Sequence, residues 1–188
     1  MYKFAPAWEQ ETIVFGASQP GYTDNQVYDW IEFMKFQNIR QVCCLLSEKQ
    51  LANYAHLLDT YWQEFGKDKI CWTPIEDFHL CDLETLIEKI LPFLITANQQ
   101  NEKVVVHCAG GIGRTGHILA AWLVSVRGFS NQDAISAVIR TGRNPHEAVM
   151  LSKNPLQVAG ELNVLLNSCR LAFLTMNIAD FSYKFSNL

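Results

Sequence analysis

The chain has 188 residues, 49% hydrophobic and 18% charged, with a formal net charge of −4. That size fits one globular domain burying roughly 70% of its unfolded surface, with a core over about 10–150 and a C-terminal helix over about 155–178 packed on it. The acidic balance excludes a general basic field for nucleic acid or anionic membrane, and no apolar run reaches membrane-spanning length.

Met1–Pro6 lacks the apolar core of a signal peptide. Trp8–Phe15 suggests a first strand or hairpin, and the stretch from Gly16 to Tyr22 reads as a loop. Thr23-Asp24-Asn25-Gln26 fits a capping box opening a helix with Val27, Trp30, Ile31 and Met34 on one face. Arg40–Leu46 reads as a buried strand. Ser47-Glu48-Lys49-Gln50 is a second capping box, opening a helix that runs through Leu51, Tyr54, Leu58, Trp62 and Phe65 to Gly66. Lys69–Ile75 is the next strand, followed by the loop Glu76-Asp77-Phe78-His79-Leu80. Asp82 stands as N-cap of a helical stripe from Leu83 to Ile95, with Pro92 predicting a bend and not a break.

Val104-Val105-Val106 is a short β-branched run, and a helix predicted from near Gly113 to Arg127 is apolar almost all the way round. Ser130-Asn131-Gln132-Asp133 opens another helix, ended by Thr141-Gly142, and Asn144-Pro145-His146-Glu147 is a further start signal. From Asn154-Pro155, the apolar positions Leu162, Leu165, Leu166, Cys169, Phe173 and Met176 make the stripe of the terminal helix; the other reading of that stripe is a dimer seam or partner surface. Beyond Ala179 the tail is expected to fray or dock. Strands alternating with helices imply an α/β fold with a mainly parallel sheet covered on both faces. Ligands in such sheets sit beyond the carboxyl ends of the strands, the edge towards which Cys108 and Asp77 both open. The six cysteines, at positions 43, 44, 71, 81, 108 and 169, show no repeated spacing, which predicts a reduced protein of the cytoplasm.

The chemistry concentrates in Val104-Val105-Val106-His107-Cys108-Ala109-Gly110-Gly111-Ile112-Gly113-Arg114-Thr115-Gly116. The glycines let the backbone curl so that several amide N–H groups converge, and the next helix adds the partial positive charge of its N-terminus. Such a nest binds a tetrahedral oxyanion, and Arg114 adds a two-pronged grip. A cysteine under that field is expected to be held as thiolate, a nucleophile aimed at phosphorus.

His107-Cys108-(five residues)-Arg114-Thr115-Gly116 resembles the signature loop of the cysteine-dependent protein tyrosine phosphatases, and its form HCxxGxGRTG is most similar to the small atypical dual-specificity branch. The resemblance covers about 16–149, strongly at the loop and diffusely elsewhere. It implies a single protein-tyrosine-phosphatase-like domain that removes phosphate from phosphotyrosine, and also from phosphoserine and phosphothreonine, through a phosphocysteine, with no cofactor and no metal. The substrate is then a phosphorylated protein or a small phosphomonoester, with no nucleic acid and no membrane as partner.

The resemblance also implies roles. Cys108 is the nucleophile, and the loop residues Ala109, Gly110, Gly111, Ile112 and Gly113 hold the phosphate with Arg114. The family's general-acid aspartate lies about as far upstream of the cysteine as Asp77 does (108 − 77 = 31 residues), and Pro74-Ile75-Glu76-Asp77-Phe78 resembles its loop. Glu76 and Asp82 are the other candidates, although Asp82 already has a capping role. Thr115 is placed to ease departure of the cysteine, His107 to tune the thiolate, and Arg143 to contact substrate or a second phosphate. Relatives also use a loop placed like Gln19–Tyr22 to wall the site. His117 reads as plain packing, and no resolving cysteine stands out. Phosphatases of lipids or highly anionic substrates often carry basic residues inside the loop, and Ala109–Gly113 has no lysine. Alternatives are action on small soluble phosphates or nucleic-acid 5′ ends, or a non-catalytic phosphoprotein-binding module that has no use for Asp77.

Overall fold

The computed structural model describes residues 1–147 and 154–185. Its centre is a five-stranded sheet made of β1 (Ala5–Pro6), β2 (Val14–Ser18), β3 (Ile39–Cys44), β4 (Ile70–Trp72) and β5 (Lys103–Cys108). The strand order is β1-β2-β5-β3-β4, with only the short edge strand β1 antiparallel. This is the mainly parallel sheet the alternation predicts. The first strand differs: Gly16, Ala17 and Ser18 belong to β2, paired with Val106, His107 and Cys108, because their burial between two helical layers outweighs the turn preference of Gly and Ser.

Two cores follow from the alternation of side chains along the central strands. One face carries Val14, Cys43, Val104 and Val106 against α6 (Gly113–Val126), α7 (Asn131–Arg140) and the helix after β4. The other carries Ala17, Val42, Cys44 and Val105 against α1 (Asp24–Phe36) and α3 (Leu57–Phe65). Helix α6 is buried from Gly113 to Ser125, as its all-round apolar sequence predicts.

The capping boxes at Thr23 and Ser47 both form. The helix predicted from Ser47 to Gly66 is instead two, α2 (Glu48–Leu51) and α3. Asn53 donates its side-chain amide to the carbonyls of Lys49 and Gln50, ending α2. The break turns Tyr54 inward, where its hydroxyl donates to the Pro20 carbonyl at 2.8 Å. After β4, α4 (Leu83–Thr85) runs through a π-helical turn (Leu86–Ile90) into α5 (Leu91–Gln99). Pro92 lies at the start of α5 and has no N–H for a bond to the preceding turn, so the expected irregularity is a π turn just before it.

The terminal helix α8 (Pro155–Phe185) is longer than the predicted 155–178 and includes most of the tail expected to fray or dock. Leu162, Leu165, Leu166 and Cys169 pack into the core and Phe173 is half-buried, while the side chain of Met176 lies outside the described residues. No described helix is long and apolar enough to cross a membrane.

Candidate active site

Cys108 is the last residue of β5, the strand flanked by β2 and β3. The chain then turns through Ala109–Ile112 into α6. Gly111 is required in that turn: its φ is +67°, and a Cβ there would sit 2.5 Å from the carbonyl oxygen of Ala17. Ala109 accepts the Gln19 backbone N–H at 3.2 Å, which ties the loop to the end of β2. No side chain caps α6, so its N-terminal amides and positive end are left for an anion at the loop.

Within this frame the Thr115 hydroxyl donates to Cys108 Sγ at 3.2 Å. Arg114, only 2% exposed, reaches the opposite side: Nη1 donates to the carbonyls of Ile75 (2.9 Å) and Leu45 (3.4 Å) and to Gln50 Oε1 (2.7 Å). Nη2 pairs with Asp77 Oδ1 at 3.0 Å. Arg114 Nε is buried and has no partner among the described residues. An unpaired guanidinium N–H beside an uncapped helix N-terminus is a donor set suited to an oxyanion.

The residues singled out in the sequence thus fall into three groups. Cys108, Ala109–Gly113, Arg114, Thr115 and Asp77 converge at the carboxyl end of the sheet. Asp77 meets them through Arg114, whereas Asp82 caps α4 by accepting the Thr85 N–H at 2.8 Å. Asp77 is 43% exposed, on the loop after β4, where a substrate can reach it.

His107 is fully buried behind the loop. Its Nε2 lies 3.3 Å from the Tyr61 hydroxyl, and Trp30 packs edge-on to it. Burial, with Arg114 nearby, pushes its pKa down to about 3, so the ring is neutral. It supports the loop from below and does not face substrate.

Arg143 differs from the expectation of a substrate contact. It is 3% exposed; Nη1 donates to Thr141 O (2.6 Å) and Nη2 to Lys3 O (2.6 Å), while its Nε is buried without a partner among the described residues. A Cβ on Gly16 would meet Arg143 Nε at 2.6 Å and Thr115 Cγ2 at 2.9 Å, which puts the guanidinium behind the loop as a brace. Burial lowers its pKa to about 10, so it remains cationic at neutral pH. Of the Arg143–Glu147 turn, Asn144 Oδ1 accepts from the His146 N–H, and the continuation lies outside the described residues.

The segment Gln19–Tyr22 stands beside the loop, Gln19 donating to the Tyr22 hydroxyl at 2.9 Å and Tyr22 packing on Tyr54 at 5.1 Å between ring centroids. Two participants have no sequence signature of function. Gln50 reads as half of a capping box, yet it accepts from Arg114 and donates to Asp77 Oδ2 at 3.4 Å. His117 accepts the backbone N–H of Cys81 at 3.1 Å. Among the described residues no cluster of His, Cys, Asp and Glu is placed to hold a metal.

Comparison with known proteins agrees with this geometry. Residues 29–156 match the family described as dual specificity phosphatase, catalytic domain. Human dual specificity protein phosphatase 5 is 30% identical over 67 residues, which is 36% of this chain and 17% of that protein. The vaccinia virus (strain Western Reserve) dual specificity protein phosphatase OPG106 is 32% identical over 68 residues, 36% of this chain and 40% of that protein. The matched stretches therefore span well under two thirds of these relatives. Among solved structures, Tk-PTP in its active form superposes with a TM-score of 0.64 at 25% identity, covering 81% of this chain and 92% of that one. PTPMT1, solved with PI(5)P, superposes at 0.66 with 16% identity over 88% and 96% of the two chains, a likeness of fold. The chain belongs to the dual specificity phosphatase catalytic-domain family.

Proposed function

We propose that this protein hydrolyses phosphomonoesters through a phosphocysteine intermediate, acting on phosphotyrosine and on phosphoserine or phosphothreonine in proteins. The Thr115 hydroxyl directed at Cys108 Sγ carries the reading. A donor on that sulfur stabilises negative charge there, both before attack and when the thiolate leaves. A module that only bound phosphate would need neither this contact nor Asp77.

The steps follow from the placement. Cys108 Sγ attacks phosphorus in line, while Arg114 Nε, Arg114 Nη2 and the uncapped amides of α6 hold the non-bridging oxygens. Arg114 releases Asp77 as the phosphate takes its place; the freed carboxylate takes up a proton from solvent and delivers it to the leaving oxygen. Water then attacks the phosphocysteine with Asp77 as base, and Thr115 receives the departing sulfur. No step calls for a metal or a cofactor. Thiol chemistry of this kind suits the reducing cytoplasm, in keeping with six free cysteines.

The test is hydrolysis of p-nitrophenyl phosphate without added metal, wild type against Cys108→Ser. Turnover that vanishes in the variant supports the cysteine mechanism. A folded, reduced wild type that shows no turnover from acid to neutral pH overturns it.

A further inference from the structure

His117 sits on the first turn of α6, three residues after Arg114, and is 1% exposed. Its ring touches backbone on two sides. Nε2 accepts the Cys81 N–H at 3.1 Å, and the ring also bonds to the backbone of Gly113, the residue that opens α6. A backbone N–H can only donate, so Nε2 is the unprotonated nitrogen and Nδ1 carries the hydrogen. The imidazole is therefore neutral and of one tautomer, one edge on the loop that holds Cys108 and the other on Cys81.

Cys81 closes the segment that carries Asp77. That segment is fixed upstream by Thr73 N–H to Cys44 O (3.0 Å), by Ile75 N–H to Leu45 O (3.4 Å) and by Ile75 O to Arg114. Downstream, the Asp82 cap and the Cys81–His117 bond hold it. Between these ends Phe78 adopts φ 60°, a left-handed conformation costly for an aromatic residue and sustained only while both ends stay fixed. One of the two downstream anchors is thus a side chain of the helix that begins at the phosphate loop.

We infer that His117 is a positioning residue that couples the Asp77 segment to the Cys108 loop and so sets the reach of Asp77 to the leaving oxygen. This rests on the proposed general-acid role of Asp77. A bland packing histidine would leave an apolar or backbone-free ring edge, whereas this ring bridges the two catalytic segments.

The test uses two polar replacements of similar size in the full chain. In His117→Gln the amide oxygen extends to the place of Nε2 and can accept from Cys81; in His117→Asn it stops at the place of Nδ1 and cannot. Turnover is read on p-nitrophenyl phosphate, whose leaving group departs without help, and on phenyl phosphate, whose leaving group needs the proton. His117→Asn is expected to lose about tenfold more on phenyl phosphate than on p-nitrophenyl phosphate, with His117→Gln close to wild type in that ratio. Asp77→Asn is the control. If Asp77→Asn changes the ratio and His117→Asn does not, His117 is packing and the inference falls alone. If Asp77→Asn leaves the ratio unchanged, Asp77 is not the acid and both readings fall. Equal losses on the two substrates in both His117 variants also overturn the coupling.

Discussion

Arg114 and Asp77 hold each other across the site, Nη2 to Oδ1 at 3.0 Å, one partner buried and the other 43% exposed. The guanidinium proposed to hold phosphate is thus already engaged by the carboxylate proposed as the general acid. Gln50 stabilises the arrangement by touching both.

The first prediction comes from that competition. Asp77→Ala lowers kcat by about 10² to 10⁴ on phenyl phosphate through loss of the acid. It also frees Arg114, and a half-exposed pair is worth about 0.2–1 kcal/mol, so orthovanadate binds roughly 1.4- to fivefold tighter. Inhibition constants for vanadate measured beside kcat check both. Weaker vanadate binding in the variant would rule out the competition.

Glu11 is a second target. Its buried carboxylate accepts from Arg127 Nε and Nη2, from Trp122 Nε1 and from the backbone of Thr12 and Ile13, all at 2.9–3.0 Å. Burial alone would raise its pKa, but the Arg127 and Trp122 bonds outweigh it and hold the carboxyl below its ordinary range. Replacing one partner of such a pair strands the other: Glu11→Gln is expected to cost about 3–5 kcal/mol. Urea unfolding measures it, and the activity of the molecules that remain folded should be unchanged. A loss within about 0.5 kcal/mol of zero would refute the anchoring role.

Acid should weaken the fold before it touches the carboxylates. His107 and His117 are buried and neutral, with pKa values pushed down to about 3 and about 4. In the unfolded chain both take up protons below about 6.5. Between about 6.5 and about 4 the unfolded state therefore binds more protons than the native one, and stability falls as pH falls, by about 1.4 kcal/mol per pH unit for each ring. Urea midpoints at neutral and mildly acidic pH test this, and His117→Gln should flatten the slope. A flat wild-type profile across that window would contradict it.

Thiol reactivity gives a fourth test. Cys43 and Cys71 face each other in register on β3 and β4, and Thr73 Oγ1 lies 3.4 Å from Cys71 Sγ. Hydrogen bonding from Cys43 and Thr73 holds the partly buried Cys71 below the ordinary thiol range, although burial acts the other way. Burial pushes Cys44, Cys81 and Cys169 up to about 12. With Cys108 shielded by bound phosphate, iodoacetamide at neutral pH is expected to modify Cys71 first. Peptide mass mapping reads the order, and prior labelling of Cys81 or Cys169 would oppose it.

Much of this was legible in the sequence where the cause is local. The caps at Thr23, Ser47, Asp82 and Ser130 and the Cys108–Arg114 loop depend on residues a few positions apart. What escaped depends on distant partners. Asn53 breaks a helix whose apolar stripe runs on unbroken, and Gly16–Ser18 becomes strand only because β5 lies beside it. Gln50 and His117 look like a cap and a core residue until Arg114 and Cys81 are brought to them. The bracing of Arg143 behind the loop was hidden for the same reason, since its Lys3 acceptor lies at the other end of the chain.

The placement of β5 between β2 and β3 carries a kinetic consequence. Val14 pairs with Val104 and Val42 with Val105, so the strand ending in Cys108 finds its neighbours only after long stretches of chain have closed. Closing such loops costs entropy before any pairing repays it, which makes assembly of this sheet slow compared with its helices. The end of β5 that carries Cys108 is therefore among the last features to mature. On dilution from denaturant, helical signal should return ahead of catalysis, and a newly made chain holds Cys108 without the loop that would make it reactive.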